Sequence, residues 1–187
     1  MCYVKSHIPD LDGVCSGAIA SDYQRLRVEN VCSRLGLVSL SFLWHQPQLK
    51  LLEDMKASGI EAVLVKVAAM GLDPQTHLNQ SVTDMKSHLV MLRDRYGCNV
   101  CGEGGEYETI VLDCPFFRFG RIEIEQATIV TESGAGEIAP SGILSVQSFH
   151  IEPKGEVNEN NSQIFVVPSE WKIAQDHAEA ELAFDTS

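Results

Sequence analysis

Cys101-Gly102-Glu103-Gly104-Gly105-Glu106-Tyr107-Glu108-Thr109 divides this sequence into two regimes. Upstream of it, apolar runs alternate with stretches of helical periodicity. Downstream, Thr109 to Asp113, Arg121 to Thr131 and Ile143 to Ile151 are all strand-like, with no helix between them. Ile122 and Ile124 alternate with Glu123 and Glu125, the pattern of a half-exposed antiparallel strand. The glycine-rich turn is therefore the hinge between a strand–helix unit and a β-rich unit.

Working back from the turn, a helix is predicted through Val82, Met85, Leu89, Leu92 and Tyr96, with Gly97 as its stop. Before it lies Ala62-Val63-Leu64-Val65, a continuous apolar run typical of a strand covered on both faces. Pro47 fits the first turn of another helix, with Leu49, Leu52 and Met55 as its apolar stripe and Gly59 beyond it. Leu37 to Leu43 and Val14 to Ala20 read as earlier strands. Between them, Ser21 and Gln24 stand at capping-box spacing, ahead of Val28, Val31, Cys32 and Leu35 and the stop at Gly36. The repeated β-α order implies an α/β fold with a parallel sheet, followed by the smaller β-rich domain. The expected units are residues 1–97, residues 98–152, and a linker-like, partly disordered tail at 153–187, with a short strand and a terminal helix possible from Gln163 to Ser187.

Bulk properties narrow the function classes. The 187 residues are 44% hydrophobic and 21% charged, ordinary values for a globular chain. A net charge of -12 argues against a nucleic-acid partner, since phosphate backbones reward clustered Lys and Arg. No apolar run approaches the ~20 residues that span a bilayer, so no membrane segment is expected. Met1 to His7 has no apolar signal core, and the six cysteines are expected to be reduced thiols in the cytoplasm.

Three constellations could carry chemistry. In the glycine-rich turn, Gly102, Gly104 and Gly105 permit close backbone approach while Glu103, Glu106 and Glu108 crowd carboxylates around Tyr107. Such a turn could surround a cation or an attacking nucleophile; the alternative is a solvated acidic turn. No Gly-Lys-Ser/Thr follows, so it is not a triphosphate loop. Arg25 and Arg27 stand in the first turns of a helix, where the dipole disfavours positive charge. Either an anion sits there, finished by a guanidinium, or the arginines pair with acids such as Glu29. Lys66 and Asp73 flank the carboxyl end of the apolar strand, the ligand edge of an open α/β sheet. They could instead be a solvent-facing lysine and an aspartate capping the turn before Pro74. Cys98, Cys101 and Cys114 invite a metal reading, but a structural zinc site needs four ligands, and buried reduced thiols fit better.

Taken together, Ser21-Asp22-Tyr23-Gln24-Arg25, Lys66-Val67-Ala68 with Gly71-Leu72-Asp73, the 102–109 turn and Asp113-Cys114-Pro115 resemble the diphthine–ammonia ligase family in order and spacing. The resemblance runs from about Val4 to Glu152. It departs mainly around Asn79-Gln80 and Lys86-Ser87-His88. It implies an adenine-nucleotide α-hydrolase-like (Rossmann-like) parallel sheet, present here in part, with a smaller β-rich substrate domain. It also implies ATP-dependent amidation of diphthine on elongation factor 2: ATP, with Mg as counter-ion, activates the carboxylate as an acyl-adenylate, and ammonia displaces AMP. Glu103, Glu106 and Glu108 would be catalytic, while Gly104, Gly105, Tyr107, Thr109, Lys66 and Asp73 would bind substrate. Tyr107 would offer its ring to the trimethylammonium, and Ser21, Tyr23, Gln24 and Arg25 would face the nucleotide. No bound metal is expected. Relatives open with a Ser-Gly-Gly-Lys-Asp-Ser phosphate loop, which these 187 residues do not contain. The chain is therefore expected to start in the helix before that domain's fourth strand, to act poorly on ATP alone, and to self-associate through an exposed sheet edge. A non-catalytic interaction module with the same fold is the rival expectation.

Overall fold

The computed structural model describes residues 1–132 and 138–154. The expectations for the tail from Gly155 onward fall outside the described residues. In chain order the elements are α1 (Cys2–His7), β1 (Gly13–Cys15), α2 (Asp22–Leu35), β2 (Val38–Leu40), α3 (Gln48–Ala57), β3 (Glu61–Val67), α4 (Pro74–His77), α5 (Lys86–Tyr96), β4 (Tyr107–Asp113), β5 (Gly120–Thr131) and β6 (Gly142–Pro153). The molecule is mixed α/β, with a small parallel sheet and a four-stranded antiparallel sheet. No helix among the described residues is long and apolar enough to cross a membrane.

Local signals act where they were expected. Ser21 caps α2, its side chain accepting from the Gln24 N–H at 3.3 Å, and Gly36 closes the helix in the left-handed region at φ 64°. The two flanking strands are shorter than the apolar runs suggest. β1 and β2 pair in parallel over three residues each, and Ala18 and Ile19 are buried in a loop rather than in a strand. The third predicted helix begins only at Lys86: Val82 and Met85 are buried, but in the turns ahead of it. Val82 donates instead to the Ala62 carbonyl at 3.0 Å, which ties that segment to β3.

β3 departs most from the sequence reading. Its apolar run is buried as expected, with Leu64 and Val67 fully inaccessible. It does not extend the parallel pair, however. It lies in the sheet of order β4-β3-β6-β5, antiparallel to both neighbours. On one edge it pairs with β4 from Glu61↔Asp113 to Val67↔Tyr107. On the other, residues 79–82 bind Ala62 and Leu64, and β6 joins only at Lys66 and Val67. A β-branched apolar run reports burial of both faces, and burial does not reveal the direction of the neighbouring strand. The sheet thus draws strands from both sides of residue 97.

The core forms where α3 and α5 pack on this sheet. Leu52, Leu64, Leu72, Val67 and Leu92 are each 2% exposed or less, and a fully buried side chain of this size contributes ~1.5–3 kcal/mol. Val100 and Tyr107 belong to the same cluster, so the two ends of the glycine-rich turn are pinned to the core while its middle stays at the surface.

Candidate functional site

The turn from Cys98 to Glu106 connects α5 to β4, and its glycines have specific tasks. Gly102 sits at φ 74°, and a Cβ there would meet the Tyr107 carbonyl at 3.0 Å and its ring at 3.1 Å. At Gly104 a Cβ would stand 2.7 Å from Glu106 Oε1 and 3.0 Å from Asn99 Nδ2. The backbone is bare where the Glu106 carboxylate folds back onto it.

Each of the three carboxylates has a different environment. Glu103 reaches across to the start of α2. Its Oε1 accepts from the Ile19 N–H at 3.2 Å, and its Oε2 accepts from the N–H groups of Ala20 at 2.9 Å and Ser21 at 3.0 Å. Three successive backbone donors at a helix N-terminus form an anion nest, and the chain fills it with its own carboxylate. Glu106 turns back into the loop, accepting from the Asn99 N–H at 2.6 Å, Asn99 Nδ2 at 3.1 Å and the Gly104 N–H at 2.8 Å. Glu108 stands apart on β4, exposed, and takes Lys66 Nζ at 2.9 Å across the strand pair. That bond, then the charge of Glu108, raises the Lys66 pKa above its ordinary value.

Tyr107 faces the core. Its ring is 6% exposed and its hydroxyl donates to the Val100 carbonyl at 2.6 Å, so the ring is spent on packing and offers no face to a solvent cation in this structure. Burial, then the neighbouring Cys101 and Glu106, raises its pKa. Thr109 pairs with Leu64 in the β3–β4 ladder with its side chain exposed. Asp73 caps α4, accepting from Gln75 N–H at 2.7 Å and Thr76 N–H at 3.3 Å; this is the turn-capping alternative. Arg25 lies on Trp44, 4.6 Å from the ring, and is held by Asp22 at 3.1 Å and Glu29 at 2.7 Å, which is the acid-pairing alternative. Tyr23 is largely exposed beneath the Arg27 guanidinium.

Two residues that sequence reasoning passed over complete the site. Gln48, the first residue of α3, accepts from the Cys101 N–H at 3.0 Å and donates to Asn99 Oδ1 at 3.1 Å. Asn99 passes that contact on to Glu106. Nothing in the sequence marks either residue, since a glutamine after Pro47 and an asparagine between cysteines belong to no recognisable motif.

The N–H groups of Ile19, Ala20 and Ser21 are engaged by Glu103, and Arg25 by Asp22 and Glu29. At the start of α2 these groups are therefore not free to hold a phosphate in this arrangement. Among the described residues, no group of three or more His, Cys, Asp or Glu side chains is placed to hold a metal ion. Cys101 is pushed up to about 11 by burial, then by Glu103, and Cys98 is raised by burial, then by Glu106. Thiols so perturbed are poor nucleophiles. The arrangement offers fixed carboxylates. Glu106 has two donors on Oε1 and one on Oε2, which leaves room on Oε2 for a further N–H.

The chain is similar to known proteins. Residues 47–139 match the family model described as diphthamide synthase C-terminal domain. A diphthine–ammonia ligase of Rattus norvegicus is 49% identical over 145 residues, 78% of this chain and 54% of that protein. One of Danio rerio is 49% identical over 147 residues, 79% of this chain and 57% of that protein. One of Schizosaccharomyces pombe is 44% identical over 175 residues, 94% of this chain but 28% of that protein. The chain thus spans about half the length of the rat and zebrafish relatives, and less of the yeast one.

Proposed function

The chain belongs to the diphthine–ammonia ligase family, and on that premise we propose that it handles diphthine and ammonia in the ATP-dependent amidation that yields diphthamide. The observation that carries this reading is the double anchoring of one turn. Glu103 fixes it to α2, while Glu106 is oriented by three N–H donors with one acceptor position to spare. In the half-reaction assigned here, the ammonia nitrogen attacks the activated diphthine carboxyl carbon, the leaving group departs, and Glu106 accepts a proton from the nitrogen. Glu108, exposed beside Lys66, faces the substrate's cationic group, with Thr109, Gly104 and Gly105 lining the approach. Ser21, Tyr23 and Gln24 mark the side from which the nucleotide arrives. Lys66, paired with Glu108, and Asp73 contribute to substrate binding in the same reading.

The finer parts belong to the same proposal. The protein substrate is elongation factor 2 carrying diphthine, Mg accompanies the ATP, no metal is held by the protein, and the setting is cytoplasmic. The division at residue 97 into nucleotide-binding and substrate-binding parts is functional in this reading. The exposed Val38 and Leu40 on β2, with Phe42 just after it, support self-association through that edge. A non-catalytic module is the second reading. It is favoured by one observation: Glu103, read as catalytic, and Arg25, read as facing the nucleotide, are already engaged within the chain.

The test uses a ligation-competent polypeptide in which an ATP-binding segment precedes this sequence, supplied with diphthine-bearing elongation factor 2, ATP and ammonium. Glu106→Gln is expected to lower ligation by roughly 10²-fold, the scale of a lost general base, with ATP affinity nearly unchanged. Glu125→Gln, an exposed β5 residue paired with His150, is the control and should ligate normally. Wild-type ligation by Glu106→Gln would transfer the turn to the non-catalytic reading.

A further inference from the structure

Gln48 and Glu106 are far apart in sequence, yet an unbroken line of hydrogen bonds through Asn99 joins them. Its direction is fixed at one end. The Cys101 N–H can only donate, so Gln48 must present Oε1 to it, at 3.0 Å. This turns Gln48 Nε2 toward Asn99, which must answer with Oδ1, at 3.1 Å. The Asn99 amide then directs Nδ2 at Glu106 Oε1, also at 3.1 Å, beside the Asn99 backbone N–H at 2.6 Å. Both amides are thus locked in one orientation. The Gly104 N–H takes Oε2 at 2.8 Å.

A carboxylate has about four lone-pair positions. Two donors fill Oε1 and one occupies Oε2, so the remaining position is on Oε2. We propose that Gln48 and Asn99 are positioning residues that hold Glu106 so that Oε2 keeps its open acceptor position for the amine nucleophile. The proposal rests on the reading of Glu106 given above. The bare backbone of Gly104 fits it, since a Cβ there would collide with Oε1 and crowd Asn99 Nδ2.

A simpler role for Gln48 would be to staple α3 to the turn through Cys101, whose thiol also donates to the Gln48 carbonyl at 3.3 Å. Gln48→Glu separates the two roles. The new carboxylate keeps the length and the acceptor for the Cys101 N–H, so a staple survives. It cannot donate to Asn99, whose amide must reverse and turn its oxygen on the Glu106 carboxylate.

In the ligation-competent polypeptide, Gln48→Glu is expected to melt near the wild-type temperature with KM for ATP unchanged. Its kcat should fall about tenfold or more, short of or near the ~10²-fold that a 1 Å displacement at a reacting centre can cost. Asn99→Ala retains the backbone N–H to Glu106, loses only Nδ2, and should show the same split with a smaller loss of kcat. It serves as the deciding variant if Gln48→Glu does not fold. Wild-type kcat in the folded variants, with Glu106→Gln impaired, would overturn the positioning role and leave the reading of Glu106 standing. Wild-type kcat in Glu106→Gln as well would overturn both.

Discussion

Replacing Glu103 should loosen the molecule more than a surface carboxylate has any right to. Its side chain accepts N–H groups from Ile19, Ala20 and Ser21, residues more than eighty positions away, and so joins the turn to the start of α2. A hydrogen bond to a charged group contributes ~1.5–3 kcal/mol net, and an acid at a helix N-terminus adds ~0.3–1 kcal/mol. Those contributions do not simply add, because the donors can hydrate once released. Ala20 is exposed, and its N–H recovers water easily. Ile19 is 5% exposed, and its N–H bears most of the loss. Glu103→Ala is therefore expected to cost about 2–4 kcal/mol, which for a domain near this size lowers Tm by roughly 4–16 °C. Glu103→Gln can still offer one oxygen to Ala20 and Ser21 but turns an NH2 toward Ile19, so it should fall between wild type and Ala. Urea denaturation gives the free energies, and amide exchange at Ile19, Ala20 and Ser21 locates the change. An Ala variant within about 0.5 kcal/mol of wild type, the ordinary range for an unremarkable surface substitution, with unchanged exchange would refute the reasoning.

Two further outcomes follow from titratable groups. The rings of His77 and His88 lie 4.5 Å apart, and burial, then His88, holds the His77 pKa below the usual value, against an opposing pull from Asp73. The unfolded chain then binds that proton more tightly, so stability should fall as pH drops below about 6.5, and His77→Gln should flatten the fall between about pH 7.5 and pH 5.5 in urea midpoints. A wild-type midpoint that rises on acidification through that window would contradict the sign. Cys98 and Cys101, both raised by burial and a neighbouring carboxylate, should alkylate more slowly at mildly alkaline pH than exposed Cys2 and Cys15, as read by peptide mass. Equal rates at all four would show that the turn opens readily.

Much of this protein was legible in its residues because the deciding interactions are local. Ser21 capping Gln24, Gly36 and Gly97 ending helices, and Asp73 preceding Pro74 all act within four positions, so spacing alone reveals them. The long strands after the turn announce themselves by composition and alternation. The sequence also singled out the 101–109 turn, by the density of its glycines and carboxylates. It could not say that β3 runs antiparallel to its neighbours, since an apolar run encodes burial and not partner direction. It could not distribute the carboxylates either. Glu103, Glu106 and Glu108 look interchangeable in the chain, yet one fills a helix nest, one is oriented by Asn99 and Gly104, and one pairs with Lys66. A carboxylate's role is set by which donors reach it. Glu106 finds its donors within its own turn, but those of Glu103 and Glu108 come from the start of α2 and from β3, which only the folding of distant segments onto one core brings within hydrogen-bonding distance.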